Sequence, residues 1–80
     1  MAFDSKIFLQ ILQNLATENG KCYTGGYQYF DHVLELYKQK LFFAEVVYDE
    51  ADRIAQLNNI ILRKEGHQYL KELLTKKNIK

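Results

Sequence analysis

The residues with the widest chemical reach in this 80-residue chain are two histidines, one cysteine and a pair of adjacent glycines. A metal site needs ligands at short, defined spacing, such as two histidines one helical turn apart or paired cysteines. His32 has no partner His or Cys at such a distance, and His67 lies far along the chain. His32 is therefore expected as a plain surface or boundary residue. Cys22 could serve as a thiol nucleophile, but a lone cysteine more often behaves as a small buried hydrophobe, and that is the expectation. Gly25-Gly26 marks a turn and not a phosphate-binding loop, since the further glycines and the closing Lys-Ser/Thr are missing. No nucleophile stands with a base, and no carboxylate pair falls at a spacing that one pocket would hold. The reading is a protein that is not an enzyme and calls for no metal and no cofactor.

What remains is recognition, and the elements must present the recognising residues. Ser5 to Asn19 reads as a helix: Ile7, Ile11 and Leu15 repeat every four residues, with Phe8, Leu12 and Ala16 beside them. Asp4 or Ser5 can cap its start, and Gly20 can take the left-handed turn that ends it. Lys21 to Gly26 gives a short extended piece. Tyr27 to Leu41 reads as a second helix with Phe30, Val33, Leu34, Tyr37 and Leu41 as its buried stripe. Gln28, Asp31, His32, Glu35, Lys38 and Gln39 project from its polar side, with Tyr29, Leu36 and Lys40 at the edge.

Phe42 to Tyr48 (FFAEVVY) is rich in aromatic and β-branched residues and reads as a strand. Leu57 to Leu62 reads as its hairpin partner, across a loop from Asp49 to Gln56 that could also hold a helical turn. Arg63 to Lys77 reads as the last helix, with Gly66, Tyr69, Leu70, Leu73 and Leu74 inward and Lys71, Lys76 and Lys77 outward.

A chain this short with 48% hydrophobic residues, no proline and few glycines fits one folded domain over residues 1–80. Its net charge of +1 gives no general affinity for nucleic acid. The charge is uneven, however. Asp49, Glu50 and Asp52 face only Arg53 between the strands, whereas six basic residues after Leu57 outnumber Glu65 and Glu72. One cysteine excludes an intramolecular disulfide, and with neither a leader pattern nor an apolar run of membrane length the expected compartment is cytoplasmic.

Two local patterns carry a resemblance. The helix ending LYKQKLF runs directly into FAEVVY. Further on, Leu62, Gly66 and Leu70 match the passage from a second wing strand into a C-terminal helix, with Arg63 where a capping Thr or Ser is usual. With the order of elements, they make the chain resemble the winged helix-turn-helix fold, closest to small YjcQ-like proteins of bacteria and their phages. The implied fold class is α+β, mainly helical: three helices plus a small antiparallel β-hairpin wing. The glycine common at the helix–wing junction is replaced by Lys40, and the first helix of the motif has room for one turn at most.

The resemblance implies a regulator that binds double-stranded DNA. Gln28, His32, Lys38 and Gln39 would face the groove, and Lys21, Arg53 and Arg63 would approach phosphates. Asp31, Glu35 and the acidic wing oppose that role. The alternative is a protein–protein interaction module, a homodimer or a binder of another protein, using the aromatic surplus of Tyr27, Tyr29, Leu36, Phe42 and Phe43.

Overall fold

The computed structural model describes the backbone of residues 3–78 and the side chains of residues 3–76. The outward placement expected of Lys77 lies outside the described side chains. The elements run α1 (Ser5–Thr17), β1 (Lys21–Thr24), α2 (Phe30–Lys38), β2 (Phe42–Tyr48), β3 (Ile54–Leu62) and α3 (Lys64–Asn78). The strands form one antiparallel sheet in the order β1-β3-β2, so the chain is α+β with three helices and three strands. The expected hairpin is there, and the short extended piece joins it as a third strand.

Asp4 caps α1, its carboxylate accepting the Lys6 N–H at 2.8 Å. The helix stops at Thr17, two residues early, and Gly20 makes the left-handed turn (φ 79°) that feeds β1. Its N–H then donates to the Ile60 carbonyl at 3.1 Å, which starts the pairing of β1 with β3. Tyr23 sits opposite Leu57 and points inward. Strand alternation therefore sends Cys22 outward: the thiol is exposed, not the buried hydrophobe expected.

Helix α2 is shorter than the expected Tyr27–Leu41. Residues 25–29 form turns, with Tyr27 N–H on the Thr24 carbonyl and Phe30 N–H on that of Tyr27. No side chain caps the start of α2. At its other end Lys40 donates to the Tyr37 carbonyl (2.9 Å) and Leu41 to that of Leu36 (3.3 Å), with Lys40 at φ 60°. This is the paired hydrogen-bond ending in which glycine usually occupies the left-handed position. A lysine there is strained by about 1 kcal/mol.

The loop between β2 and β3 shrinks from eight residues to five. Ile54 to Gln56 extend β3 because β2 pairs with them (Tyr48 with Ile54, Val47 with Gln56). The alternative of a helical turn at Asp49–Gln56 is excluded. The Asp49 carboxylate accepts the N–H groups of Ala51 (2.8 Å) and Arg53 (3.0 Å), closing the tip locally, and Asp52 takes a left-handed φ of 59°.

Fully buried Ile11, Leu12 and Leu15 of α1, Val33 and Leu36 of α2, and Leu57 and Ile60 of β3 fill the centre. The α1 stripe is turned toward Leu9, which is buried, and away from Ala16, which is exposed. Helix α3 presents Gly66, Leu70 and Leu73 to this core. Gly66 allows the closest approach in the fold: a Cβ there would collide with the Leu41 carbonyl oxygen and the Leu62 side chain.

Candidate functional site

The seven residues expected to meet DNA do not share a face. Lys21 lies on β1, 3.7 Å from Glu18 and over the Tyr23 ring. Gln28 is exposed in the turn before α2. His32 is turned toward α1 and away from any groove: its Nε2 accepts the Asp4 N–H at 3.1 Å, and its ring meets Phe3, Phe8 and Tyr29 edge-on. It is a boundary residue, half-buried as expected, and it ties α2 to the start of α1. Gln39 is exposed but donates to Glu35 at 3.1 Å. Arg53 lies at the hairpin tip, 3.3 Å from Asp49. Only Lys38 and Arg63 come together.

They meet at the base of the hairpin. The Arg63 N–H donates to the Leu41 carbonyl (2.9 Å), which pins the end of β3 to the end of α2. Lys38, Lys40 and Arg63 line one hollow with Tyr37, Phe42 and Phe43, and no carboxylate lines it. The Arg63 guanidinium lies over the Phe43 ring, 4.7 Å from its centre, and its Nε is 3.6 Å from Glu65. Lys64 follows at once, so the base is a basic corner. The tip is the reverse, with Asp49, Glu50 and Asp52 around Arg53. Hydrogen bonds from the Arg53 and Ala51 amides hold the Asp49 carboxyl below the usual aspartate range.

Two of the five expected partner-facing aromatic and aliphatic residues are core. Leu36 is 0% and Phe42 2% exposed. Leu36 lies three residues after Val33 and closes the α2 stripe inward, while Phe42 pairs with Leu62 on the buried side of the sheet. Tyr27 and Tyr29 are half-buried, with the Tyr27 ring tilted against Tyr23 and meeting Tyr29 edge-on. Phe43 alone stands out, 61% exposed. Opposite it, Ile61 is 50% exposed, and Val47 lies further along the same face beyond Glu45, whereas Tyr48 is exposed at the end of the other face. The sequence signal for Val47 and Ile61 lies in the adjacent apolar pairs Val46-Val47 and Ile60-Ile61, which put one apolar side chain on each face of a sheet that the helices cover on one side.

Neither protein-family models, nor curated proteins, nor solved structures give a match to this chain. Among the described residues no group of three or more His, Cys, Asp or Glu side chains is placed to hold a metal ion, and no helix is long and apolar enough to cross a membrane. A second hollow lies between α1 and α3, floored by Leu9, Tyr69 and Leu73 and rimmed by Lys6 and Lys76. The hairpin differs from it in offering apolar side chains that are themselves exposed, beside a strand edge. In the sheet order β1-β3-β2, β2 is an outer strand and its far edge pairs with nothing among the described residues.

Proposed function

We propose that this chain is a winged-helix-like protein–protein interaction module, of the small YjcQ-like kind, that recognises its partner with the outer surface of the β2–β3 hairpin. The order of elements, with the hairpin directly after α2 and β1 closing the sheet beside β3, supports the winged-helix arrangement. The observation that carries the interaction reading is the exposed Phe43–Ile61 pair, with exposed Val47 further along the same face. Aromatic and aliphatic side chains left in water beside a basic rim are the composition of a contact patch. The charges of α2 and of the tip point the same way. Asp31 and Glu35 precede Lys38 on the helix, and the tip is acidic, so both would repel a phosphate backbone.

The second reading is binding of double-stranded DNA as a bacterial or phage transcription regulator, and the basic corner of Lys38, Lys40, Arg63 and Lys64 favours it. It uses the base of the hairpin and not the helix face.

A photoreactive phenylalanine analogue, placed at Phe43 and in a separate variant at Glu72 on the exposed side of α3, distinguishes the readings in cells that express the protein. The interaction reading expects protein adducts at position 43 and few at 72. Equal labelling at both positions, or none, contradicts it. Binding of mixed-sequence duplex DNA at about micromolar strength that weakens steeply with salt would establish the second reading instead.

A further inference from the structure

We propose that the partner of the hairpin is a second copy of this chain, joined through the free edges of two β2 strands running antiparallel; this rests on the interaction reading above and names its occupant.

The free edge comes first. A seven-residue strand spans roughly 20 Å and leaves alternate N–H and C=O groups directed outward. Proteins that keep such an edge single usually blunt it with proline, lysine or a covering element. Strand β2 has no proline or lysine within Phe42–Tyr48, no described element pairs with its far side, and Glu45 is its one charge.

Charge selects the occupant and its direction. Cations sit where β2 begins (Lys38, Lys40 and neighbouring Arg63) and carboxylates where it ends (Asp49, Glu50, Asp52). A second copy laid antiparallel brings the basic base of each hairpin against the acidic tip of the other, twice, about one two-fold axis. A parallel copy would put like charges together at both ends. Lys38, Lys40 and Glu50 make no ion pair among the described residues, so they are open to this contact.

The side chains select the register. Centring the pair on Glu45 sets Phe43 beside Val47 of the second copy, Phe42 beside Tyr48, Ala44 beside Val46, and Lys40 beside Glu50. Phe43 and Val47, exposed in the monomer, become neighbours on one face. The cost is the two Glu45 carboxylates at the axis. Each is drawn back toward its own β3 by Asn59, whose Nδ2 donates to it at 2.8 Å. The exposed Phe43–Val47 pair and the half-buried Ala44–Val46 pair, each made twice, stand against one like-charge contact made once. A two-fold contact of this kind closes on itself and does not grow into a fibre.

The test is sedimentation of the full chain in reducing buffer, which removes disulfide pairing through the exposed Cys22. The expected result is a weak dimer, prominent at about 200 μM and largely dissociated at about 2 μM. Lys40→Glu and Glu50→Lys should each weaken it about tenfold, because every change acts twice in the dimer. The double variant should return to within about threefold of the starting affinity. Glu45→Gln should tighten the dimer by about threefold or more. All three positions are exposed, and a melting curve for each variant checks that the fold is kept. A dimer insensitive to both charge reversals, or one that the double variant fails to restore, overturns the antiparallel edge pairing. A strict monomer at all concentrations overturns it too. If that monomer still labels a protein of another mass from position 43, the interaction reading stands with a different partner; if it labels nothing, both readings fall.

Discussion

The two faces of the β2–β3 hairpin carry much the same side chains and end in different places. On the inner face Phe42, Leu57, Ile60 and Leu62 are buried with the helices. On the outer face Phe43, Val47 and Ile61 stay in water, since no second layer among the described residues lies over them. Sequence character alone does not separate the two sets; the presence of an opposing layer does. The comparison divides labour within one element. The inner face holds the fold together, and the outer face and edge are free to meet something else.

Changes on the inner side should break the fold. A large effect is expected at Gly66, where α3 touches the hairpin base with no room for a Cβ. Gly66→Ala should lower unfolding stability by about 3 kcal/mol, because backbone must move to accept the methyl group. Urea unfolding checks this, and a loss under about 1 kcal/mol would mean that α3 can shift away cheaply. Next, Leu57→Ala should cost about 2–5 kcal/mol, while Ile61→Ala, four residues on and facing outward, should cost less than about 1 kcal/mol. Equal losses at the two positions would end the distinction between the faces.

Smaller effects sharpen the comparison at the hairpin ends. Lys40→Gly relieves the left-handed strain and should raise stability by about 1 kcal/mol. The same change removes a cation from the base, so association should weaken as the fold gains. A variant that is both more stable and equally associative would show that Lys40 serves neither purpose. The pH dependence has two arms. The Asp49 carboxyl titrates low in the folded chain, so its contribution is present above the ordinary aspartate range and lost as the pH falls through the folded value. Burial pushes the Tyr23 hydroxyl up, with Tyr27 adding to it, so its contribution is present below about pH 10 and falls away as the pH rises toward the folded value. Asp49→Asn should flatten the acid arm of a stability–pH curve and leave the alkaline arm unchanged.

Much of the fold was legible in the sequence because the elements announce themselves by period. The stripe of α1, the FFAEVVY strand and the inward Gly66-Leu70-Leu73 line of α3 all follow from spacing and residue type. The errors cluster where tertiary contact overrides local pattern. β3 starts at Ile54 because β2 extends to meet it, and Cys22 is exposed because Tyr23 takes the inward place. His32 is half-buried because the start of α1 meets it, with the Asp4 N–H on its Nε2 and the Phe3 and Phe8 rings against it. The α2 stripe holds at Phe30 and Val33, but the core takes Leu36 in full and leaves Leu34 and Tyr37 only partly buried. The candidate site was half legible. Lys38, Arg63 and Phe43 were singled out, but for separate duties. Their meeting at the hairpin base depends on the Arg63–Leu41 hydrogen bond, which no spacing reveals.

The most direct test of the central claim pairs stability with recognition in one variant. With Phe43→Ser and Ile61→Ser together and the photoreactive analogue moved to Val47, the melting temperature should stay within about 4 °C of the parent carrying the analogue alone, while labelling from position 47 disappears. A large fall in melting temperature would make the outer face part of the fold, and undiminished labelling would place recognition elsewhere on the molecule.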